Sequence, residues 1–160
     1  MFAGAGPRSE AINAAAAPEE LYEPVCSDWL FRMPSLRVAE MWIAGGGRAH
    51  VYEPTWPAPG MGGVLGACHG LDVVGNLDRG QPATLFGAGP TEEVAALSVH
   101  MRAAWMAFAA RGDPGWPAYE PKRRRTRIFA ARPTVDRCPK AASRRIRVGQ
   151  PLSAFTLLER

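Results

Sequence analysis

The sequence has 160 residues, of which 47% are hydrophobic and 21% are charged, and its formal net charge is +4. This balance and length are typical of one globular domain and exclude a low-complexity or intrinsically disordered chain. No run of about 18 apolar residues occurs, which excludes a membrane-spanning helix.

Positive charge is concentrated in the last third of the chain. Residues 121–147 hold 11 Lys or Arg side chains and one acidic residue, a net charge of +10. Such a block can bind phosphate groups. Because 17 of the 19 basic residues in the chain are Arg, and no known nucleic-acid-binding module accompanies them, we interpret the block as a solvated Arg-rich surface. We predict no nucleic-acid partner.

Three cysteines, Cys26, Cys68 and Cys138, are widely spaced. No C-x-x-C pair occurs, so neither a zinc site nor a redox motif is indicated. An odd number of separated cysteines is typical of free thiols in a reducing compartment. Residues 1–17 lack the basic start and apolar core of a secretory signal. We therefore expect a cytoplasmic location.

The first half of the chain shows two helical patterns. Residues 1–17 have little periodicity and are expected to be loosely ordered. Pro18 followed by two glutamates is typical of a first helical turn, which predicts a helix near residues 18–26. Apolar residues at mostly three- and four-residue spacing predict another helix near residues 34–42. Pro34 is expected to kink or divide this stretch.

A short strand is predicted over residues 48–53, where Val51 and Tyr52 favour extended backbone and turn residues bound the segment. Pro54 ends this strand or places it at a sheet edge, because proline lacks the backbone N–H that a ladder needs. Residues 55–65 are rich in Pro and Gly and are predicted to form a loop.

The strongest helix prediction covers residues 91–111. Thr91 can cap its N-terminus and Gly112 its C-terminus, and Pro114 prevents the helix from continuing. An apolar stripe at spacings of 3, 4, 4 and 3 residues marks the predicted buried face. Its members are Val94, Leu97, Met101, Trp105 and Phe108.

The remaining elements are short. Residues 116–119 predict an aromatic turn, residues 127–130 a second strand, and the residues beyond Pro139 carry a weak helical signal. Two short strands do not form a stable sheet by themselves. The apolar faces of the predicted elements are therefore expected to pack against polypeptide that this chain does not contain.

A histidine lies in a glycine-flanked segment, His69-Gly70-Leu71-Asp72, downstream of the first predicted strand. This segment resembles the H-[GA]-x-[DE] segment of type-B carboxylesterases, a family that includes bacterial para-nitrobenzyl esterases and the cholinesterases. In that family the segment carries the histidine of a serine-esterase triad and lies in a loop after a strand.

Further segments resemble the same family in the same order, from about Glu19 to Arg145. They are residues 27–34, similar to the helix before the strand; Val51-Tyr52-Glu53 with Trp56-Pro57, similar to the strand and its exit; Gly75-Asn76-Leu77-Asp78; helix 91–111 with Gly112-Asp113-Pro114; and Trp116-Pro117-Ala118-Tyr119. Their shared order makes a chance resemblance implausible.

The resemblance implies an α/β fold class. The chain is expected to be a C-terminal fragment of an α/β-hydrolase fold, with mostly helices and loops and a few short strands. We assign residues 1–17 to a loosely ordered N-terminal segment, 18–147 to the C-terminal part of a carboxylesterase domain, and 148–160 to an unmatched tail.

A serine hydrolase of this fold needs, in chain order, a nucleophilic Ser, an acid and a His. None of the six serines lies in a Gly-x-Ser-x-Gly segment, and no glycine-rich oxyanion loop precedes them. In the family, the acid of the triad lies further upstream of the histidine than this chain extends. The resemblance therefore assigns one catalytic residue, His69, as general base toward the serine and general acid toward the leaving alcohol.

The other candidate residues have structural interpretations. Asp72 resembles the family's supporting acidic position and is not assigned to the triad. His50 and His100 are predicted to be surface or boundary residues, and no metal-ligand spacing links them to a cysteine. Cys68 adjoins His69, but neighbouring side chains in extended backbone point apart, so no Cys–His pair is expected. We predict no metal and no cofactor.

Two departures from the family pattern bear on the histidine loop. Val73 and Val74 alone separate Asp72 from Gly75, where the family has several apolar or aromatic residues. Pro54 stands where an aromatic strand residue is usual. In the family, the residues of this segment pack beneath the histidine loop. Their loss is therefore expected to affect the position of His69 and the folding of the chain.

The sequence thus predicts the C-terminal part of a serine carboxylic-ester hydrolase, which supplies the triad histidine and is inactive alone. The alternative is a non-catalytic truncated remnant or interaction domain. A small-molecule ester is the expected substrate if the missing part, for instance a separate complementing chain, completes the site. No membrane partner is predicted.

Overall fold

The computed structural model describes residues 25–68, 70–71 and 92–147. The described residues fall into two compact units. The first unit contains the described parts of Met1–Gly47 and Pro139–Arg160, and the second contains those of Arg48–Cys138. The predicted helix near residues 18–26 lies almost entirely outside the described residues, as do the segments 1–17 and 148–160.

The helical path of the first unit continues through Pro34. A π-turn, Asp28–Arg32, precedes helix α1, Met33–Ala44, and the Met33 N–H donates to the Asp28 carbonyl, five residues back. Pro34 lies in the first turn of α1, where its missing N–H is best tolerated. The wider π-turn relieves the clash of the proline ring with the preceding turn. The division expected at Pro34 is therefore a change from a π-turn to an α-helix, without an interruption of the helical path.

Two other predictions for this unit are confirmed. Helix α1 includes the predicted residues 34–42 and ends at Gly45, whose N–H donates to the Met41 carbonyl at 3.1 Å. The weak helical signal beyond Pro139 corresponds to a short helix at Ala141–Arg147. We label that helix α3, because helix α2, Glu92–Arg111, precedes it in the chain.

The second unit contains a three-stranded sheet in the order β1-β2-β3. Strand β1, Tyr52–Pro54, is parallel to β2, Arg125–Phe129, and β2 is antiparallel to β3, Thr134–Arg137. The predicted strand at 48–53 is thus shorter and includes Pro54. Within the described sheet β1 is an edge strand, which is where a ladder tolerates proline.

Strand β3 is the element that the sequence did not predict. All four of its residues are exposed, so they show no alternation of apolar and polar side chains. The strand is held by its backbone pairing with β2, in which Thr126 faces Asp136 and Ile128 faces Thr134. It raises the number of strands to three, the minimum for a sheet that is stable with one covered face.

The hydrophobic core of the second unit joins α2 to β2 and to the segments that connect the elements. Its buried members come from the β1 exit, the following loop, α2, the aromatic turn and β2. They are Trp56, Ala58, Leu71, Val94, Leu97, Met101, Ala104, Trp116 and Phe129, with Tyr52 and Cys68 packed against them. The Gly112 N–H donates to the Phe108 carbonyl at 2.7 Å, and Gly112 has φ +68°, which confirms the predicted helix cap.

The predicted buried stripe of α2 is correct only in its first part. Val94, Leu97 and Met101 are buried, but Trp105 is 38% exposed and Phe108 is 49% exposed. Ala104 takes the buried position near the C-terminal end of the helix. The two aromatic side chains make contacts at the margin of the core instead, Trp105 with Tyr52 and Phe108 with His50.

Phe129→Ala is expected to destabilise the protein most among the core substitutions. The ring is fully buried, so its loss leaves a cavity and should lower the free energy of unfolding by about 3–5 kcal/mol. Urea denaturation followed by circular dichroism measures this change. Val135→Ala on exposed β3 is the control and should stay within about 0.5 kcal/mol of the native chain. Equal effects of the two changes would contradict this core assignment.

Candidate functional site

The loop that follows β1 is held to the end of β2. The Phe129 carbonyl accepts hydrogen bonds from the Thr55 N–H at 2.9 Å and the Trp56 N–H at 3.3 Å. The chain then makes a 3₁₀ turn, Gly60–Gly63, and the Ala58 N–H donates to the Gly66 carbonyl at 2.9 Å. These bonds close the loop, so that the chain returns to the core just before residue 68.

His69, the predicted catalytic residue, lies outside the described residues, as do Asp72 and the segment 75–78. The structure describes the residues on both sides of it. Cys68 is half-buried and packs against the core, and Leu71 is a buried core member. The backbone is therefore anchored to the core within one residue before position 69 and two residues after it.

Gly70 adopts a conformation that only glycine enters easily. Its φ is +84°, in the left-handed region. No atom outside its chain neighbours lies within 4 Å of where a Cβ would stand, so the backbone angle, not space, favours glycine here. The glycine of the His-Gly-x-Asp segment thus has a conformational role in the turn that follows position 69.

A tryptophan connects the start of this loop with α2. The Trp56 ring is buried, and its Nε1–H donates to Oε2 of Glu93, in the first turn of α2, at 3.2 Å. A carboxylate at this position also interacts favourably with the helix dipole. Because 37 residues separate the two partners, no local sequence signal predicts the contact.

His50 is half-buried, as predicted for a boundary residue, and lies beside the aromatic turn. Its Nδ1 is 3.0 Å from the Trp116 carbonyl, so Nδ1–H is the donor. The ring meets Phe108 and Trp116 edge to face. Nearby, the Tyr119 N–H donates to the Ala49 carbonyl at 2.8 Å. His50 therefore joins the chain before β1 to the aromatic turn.

An open depression of about 430 Å³ adjoins this histidine, with lining residues Arg48, His50, Asp113, Gly115, Trp116, Pro117 and Ala118. Its two charged groups already have partners. Arg48 donates to the Gly112 carbonyl at 3.0 Å, and an Asp113 carboxylate oxygen accepts from the Gly115 N–H at 2.9 Å. The depression brings no nucleophile to His50, which agrees with a structural role.

The other sequence candidates are also engaged in structural contacts or lie on the surface. His100 is exposed on α2. Asp28 is buried and forms an ion pair with Arg32. The Ser98 hydroxyl is buried and accepts a hydrogen bond from Arg102 at 2.6 Å. None of them forms part of a catalytic triad within the described residues.

The basic block is partly used inside the protein. Arg125 pairs with Glu120 at 2.8 Å, and Arg123 reaches the same carboxylate at 3.6 Å. The Arg127 guanidinium lies over the rings of Trp116 and Phe129, at 5.9 and 5.6 Å from their centroids. These contacts give three of the basic residues a structural function.

Within the described ranges, no group of three or more His, Cys, Asp or Glu side chains is placed to hold a metal ion. In the same part of the chain, no helix is both long enough and apolar enough to cross a membrane.

Comparison with curated proteins relates the chain to a bacterial esterase. No protein-family profile matches it. The chain is 35% identical over 86 residues to the para-nitrobenzyl esterase of Bacillus subtilis strain 168. The matched region is 49% of this chain and 17% of that esterase.

Comparison with solved structures gives the same relation over more of the chain. A carboxylesterase from Geobacillus stearothermophilus superposes with a TM-score of 0.71 and 25% identity, over 88% of this chain and 31% of that one. A para-nitrobenzyl esterase superposes with a TM-score of 0.68 and 27% identity, over 86% of this chain and 29% of that one.

These similarities confirm the predicted resemblance and the predicted fold. The chain is type-B carboxylesterase-like and has the architecture of part of an α/β-hydrolase, with helices, loops and one small sheet. It spans 17% of the length of the curated relative and about 30% of the length of the structural relatives.

Gly70→Ala is expected to strain the turn after position 69. A left-handed φ costs a residue with a Cβ about 1–2 kcal/mol, so the free energy of unfolding should fall by that amount. Thermal or urea denaturation measures it, with Gly45→Ala as the control, because Gly45 has an ordinary φ of −80°. Gly70→Asn should cost less, since Asn tolerates this region. A neutral Gly70→Ala change would contradict the assigned conformation.

Proposed function

We propose that this chain, a type-B carboxylesterase-like part of an α/β-hydrolase, carries the general base of a serine carboxylic-ester hydrolase, and that this base is His69. We also propose the domain boundaries, in which residues 18–147 form the carboxylesterase part. Residues 1–17 form a loose N-terminal segment, and residues 148–160 form a tail outside the match.

The observation that carries the proposal is the anchored His-Gly-x-Asp segment. The chain resembles esterases on both sides of it, and the residues next to position 69 are tied to the core through Cys68 and Leu71. Gly70 makes the turn immediately after it. An anchored loop supports a catalytic role, because a base must stay within hydrogen-bond reach of its nucleophile.

The chemistry assigned to His69 consists of two proton transfers. A neutral imidazole takes the proton of a serine hydroxyl while the serine oxygen attacks the ester carbonyl carbon. The imidazolium then gives that proton to the leaving alcohol oxygen as the ester C–O bond breaks, which leaves an acyl-serine. Water attacks the acyl-serine by the same route, with His69 again as base. An imidazole suits both steps because it titrates near neutral pH.

The chain alone is proposed to have no turnover. Its 160 residues contain no Gly-x-Ser-x-Gly segment, and the family's acid and oxyanion loop are absent from them. A base without a nucleophile and without donors for the oxyanion does not form an acyl-enzyme. A second stretch of polypeptide would supply these groups, and a small-molecule carboxylic ester would be the substrate of the completed site.

The second candidate function is non-catalytic, and the shortened segment after Asp72 favours it. Only Val73 and Val74 separate Asp72 from Gly75. If the missing residues normally support the histidine loop, His69 does not reach a nucleophile, and the chain is a remnant or an interaction domain. The two candidates differ in one measurable respect, the dependence of ester hydrolysis on His69.

A chimera tests the proposal directly. The segment of Bacillus subtilis para-nitrobenzyl esterase that matches this chain is replaced by residues 18–147, and hydrolysis of 4-nitrophenyl acetate is measured. The chimera should hydrolyse the ester, and His69→Ala in the chimera should lower kcat/KM by at least about 10²-fold, because the general base is lost. His100→Ala, at an exposed histidine of α2, is the matched control and should leave kcat/KM unchanged.

Different outcomes separate the candidates. A folded chimera that is inactive supports the non-catalytic function, and activity that survives His69→Ala contradicts the assignment of the base. The isolated chain is measured in the same assay and should show no turnover above background. Turnover by the isolated chain that His69→Ala abolishes would contradict the need for a second polypeptide.

A further inference from the structure

The histidine loop, residues 55–70, leaves the end of β1 and returns to the core at Cys68. The middle of the loop gains little from packing, because Met61 is 66% exposed and Val64 is 78% exposed. A segment with few buried contacts opens easily unless other contacts hold it. The position of residue 69 therefore depends on contacts made near the two ends of the loop.

The Trp56 side chain makes such a contact at the first end. It is 5% exposed, and its Nε1–H donates to Oε2 of Glu93 at 3.2 Å. A buried N–H that loses its acceptor bears the full cost of its desolvation, and a carboxylate is a stronger acceptor than a neutral group. The next residue of α2, Val94, is 2% exposed and belongs to the core. The bond therefore ties the start of the loop to an anchored part of the helix.

A short series of contacts connects this bond with position 69. Two residues after Trp56, Ala58 is fully buried, and its N–H donates to the Gly66 carbonyl at 2.9 Å. Gly66 lies two residues before Cys68, which packs against the core and directly precedes position 69. A displacement of the Trp56 ring would therefore also move the returning side of the loop.

We propose that Trp56 and Glu93 form a clamp that fixes the histidine loop against α2, and that Glu93 is a positioning residue for the base. Glu93 acts through Trp56 and the loop and contacts no reacting group. The catalytic consequence rests on the proposed function of His69, whereas the clamp is a property of the loop that can be measured without catalysis. Displacement by about 1 Å can lower a catalytic rate on the order of 10²-fold.

Four substitutions separate the clamp from a general effect on stability. Glu93→Ala removes the acceptor, and Trp56→Phe removes the donor while it keeps an aromatic ring. Glu93→Gln is the conservative variant, because its amide carbonyl can still accept the indole N–H. Glu92→Ala is the matched control, since Glu92 lies in the same first turn and its loss has the same effect on the helix dipole.

Maleimide labelling of the full chain measures the order of the loop, with mass spectrometry to quantify each cysteine peptide. Cys68 reports on the loop, and Cys138, a half-buried thiol just after β3 in the same unit, reports on opening of the whole unit. Glu93→Ala and Trp56→Phe should each speed labelling of Cys68 at least about fivefold without a change at Cys138, because only the loop opens.

The conservative and control variants complete this measurement. Glu93→Gln and Glu92→Ala should label Cys68 within about twofold of the native rate, since both leave an acceptor for the indole N–H. The double variant Trp56→Phe with Glu93→Ala should label no faster than either single variant, because each one already removes the same bond.

The esterase chimera described above tests the catalytic consequence. Per folded molecule, Glu93→Ala should lower kcat at least about tenfold and leave KM within about twofold, because the base is displaced while ester binding is not. Glu93→Gln should restore kcat, and Glu92→Ala should leave it unchanged. Restoration by the acceptor alone is not expected if the carboxylate serves only to stabilise the helix end.

Each outcome bears on a definite part of the inference. Labelling of Cys68 that Glu93→Ala leaves unchanged overturns the clamp, and so does equal acceleration at Cys68 and Cys138. Faster labelling of Cys68 with an unchanged kcat in an active chimera overturns the positioning role. A folded chimera that is inactive with Glu93 in place contradicts the proposed function instead, and the labelling rates then decide the clamp. If Glu93→Ala does not fold, Trp56→Phe provides the same test.

Discussion

The packing of Phe129 against Tyr52 and Trp116 is the interaction on which the rest of the second unit depends. The Phe129 ring is fully buried and meets Tyr52 at 5.8 Å and Trp116 at 5.9 Å between centroids. Its carbonyl holds the exit of β1 through two backbone N–H groups. One residue thus connects the sheet, the aromatic turn and the start of the histidine loop. Cys68 and Leu71, which lie on either side of position 69, belong to the same core.

The loop around position 69 is anchored to the core on both sides, whereas the sequence contains no Gly-x-Ser-x-Gly segment. The loop has a closed backbone, a buried tryptophan bonded to Glu93, and a left-handed glycine after position 69. Such anchoring is what a catalytic side chain needs, and it supports the proposal that His69 acts as a base. The chain matches about 30% of the length of the esterases that it resembles. His50, with its Trp116 contact, has the different task of holding the chain before β1.

Predictions from sequence were most accurate where a local rule decides the structure. The cap at Gly112, the start of α1 beside Pro34 and the edge position of Pro54 each follow from the conformational limits of one residue type. The predictions from sequence failed where tertiary packing decides the structure. Trp105 and Phe108 continue the apolar stripe of α2, yet they remain partly exposed because Ala104 meets the core at that level. Strand β3 carries no apolar pattern, and only its backbone pairing with β2 reveals it.

The sequence by itself determined the kind of protein and the position of its candidate base. The order of the His-Gly-x-Asp segment, the capped helix and the aromatic turn is a property of the chain, and each segment forms under local steric and capping rules. The tertiary structure alone decided which groups meet across long separations: Trp56 with Glu93, His50 with Trp116, and the β1 exit with Phe129. It also left Val99 and Met106 of α2 exposed. Such contacts depend on how faces pack together, because periodicity indicates which face of an element is buried but not which distant residues it meets.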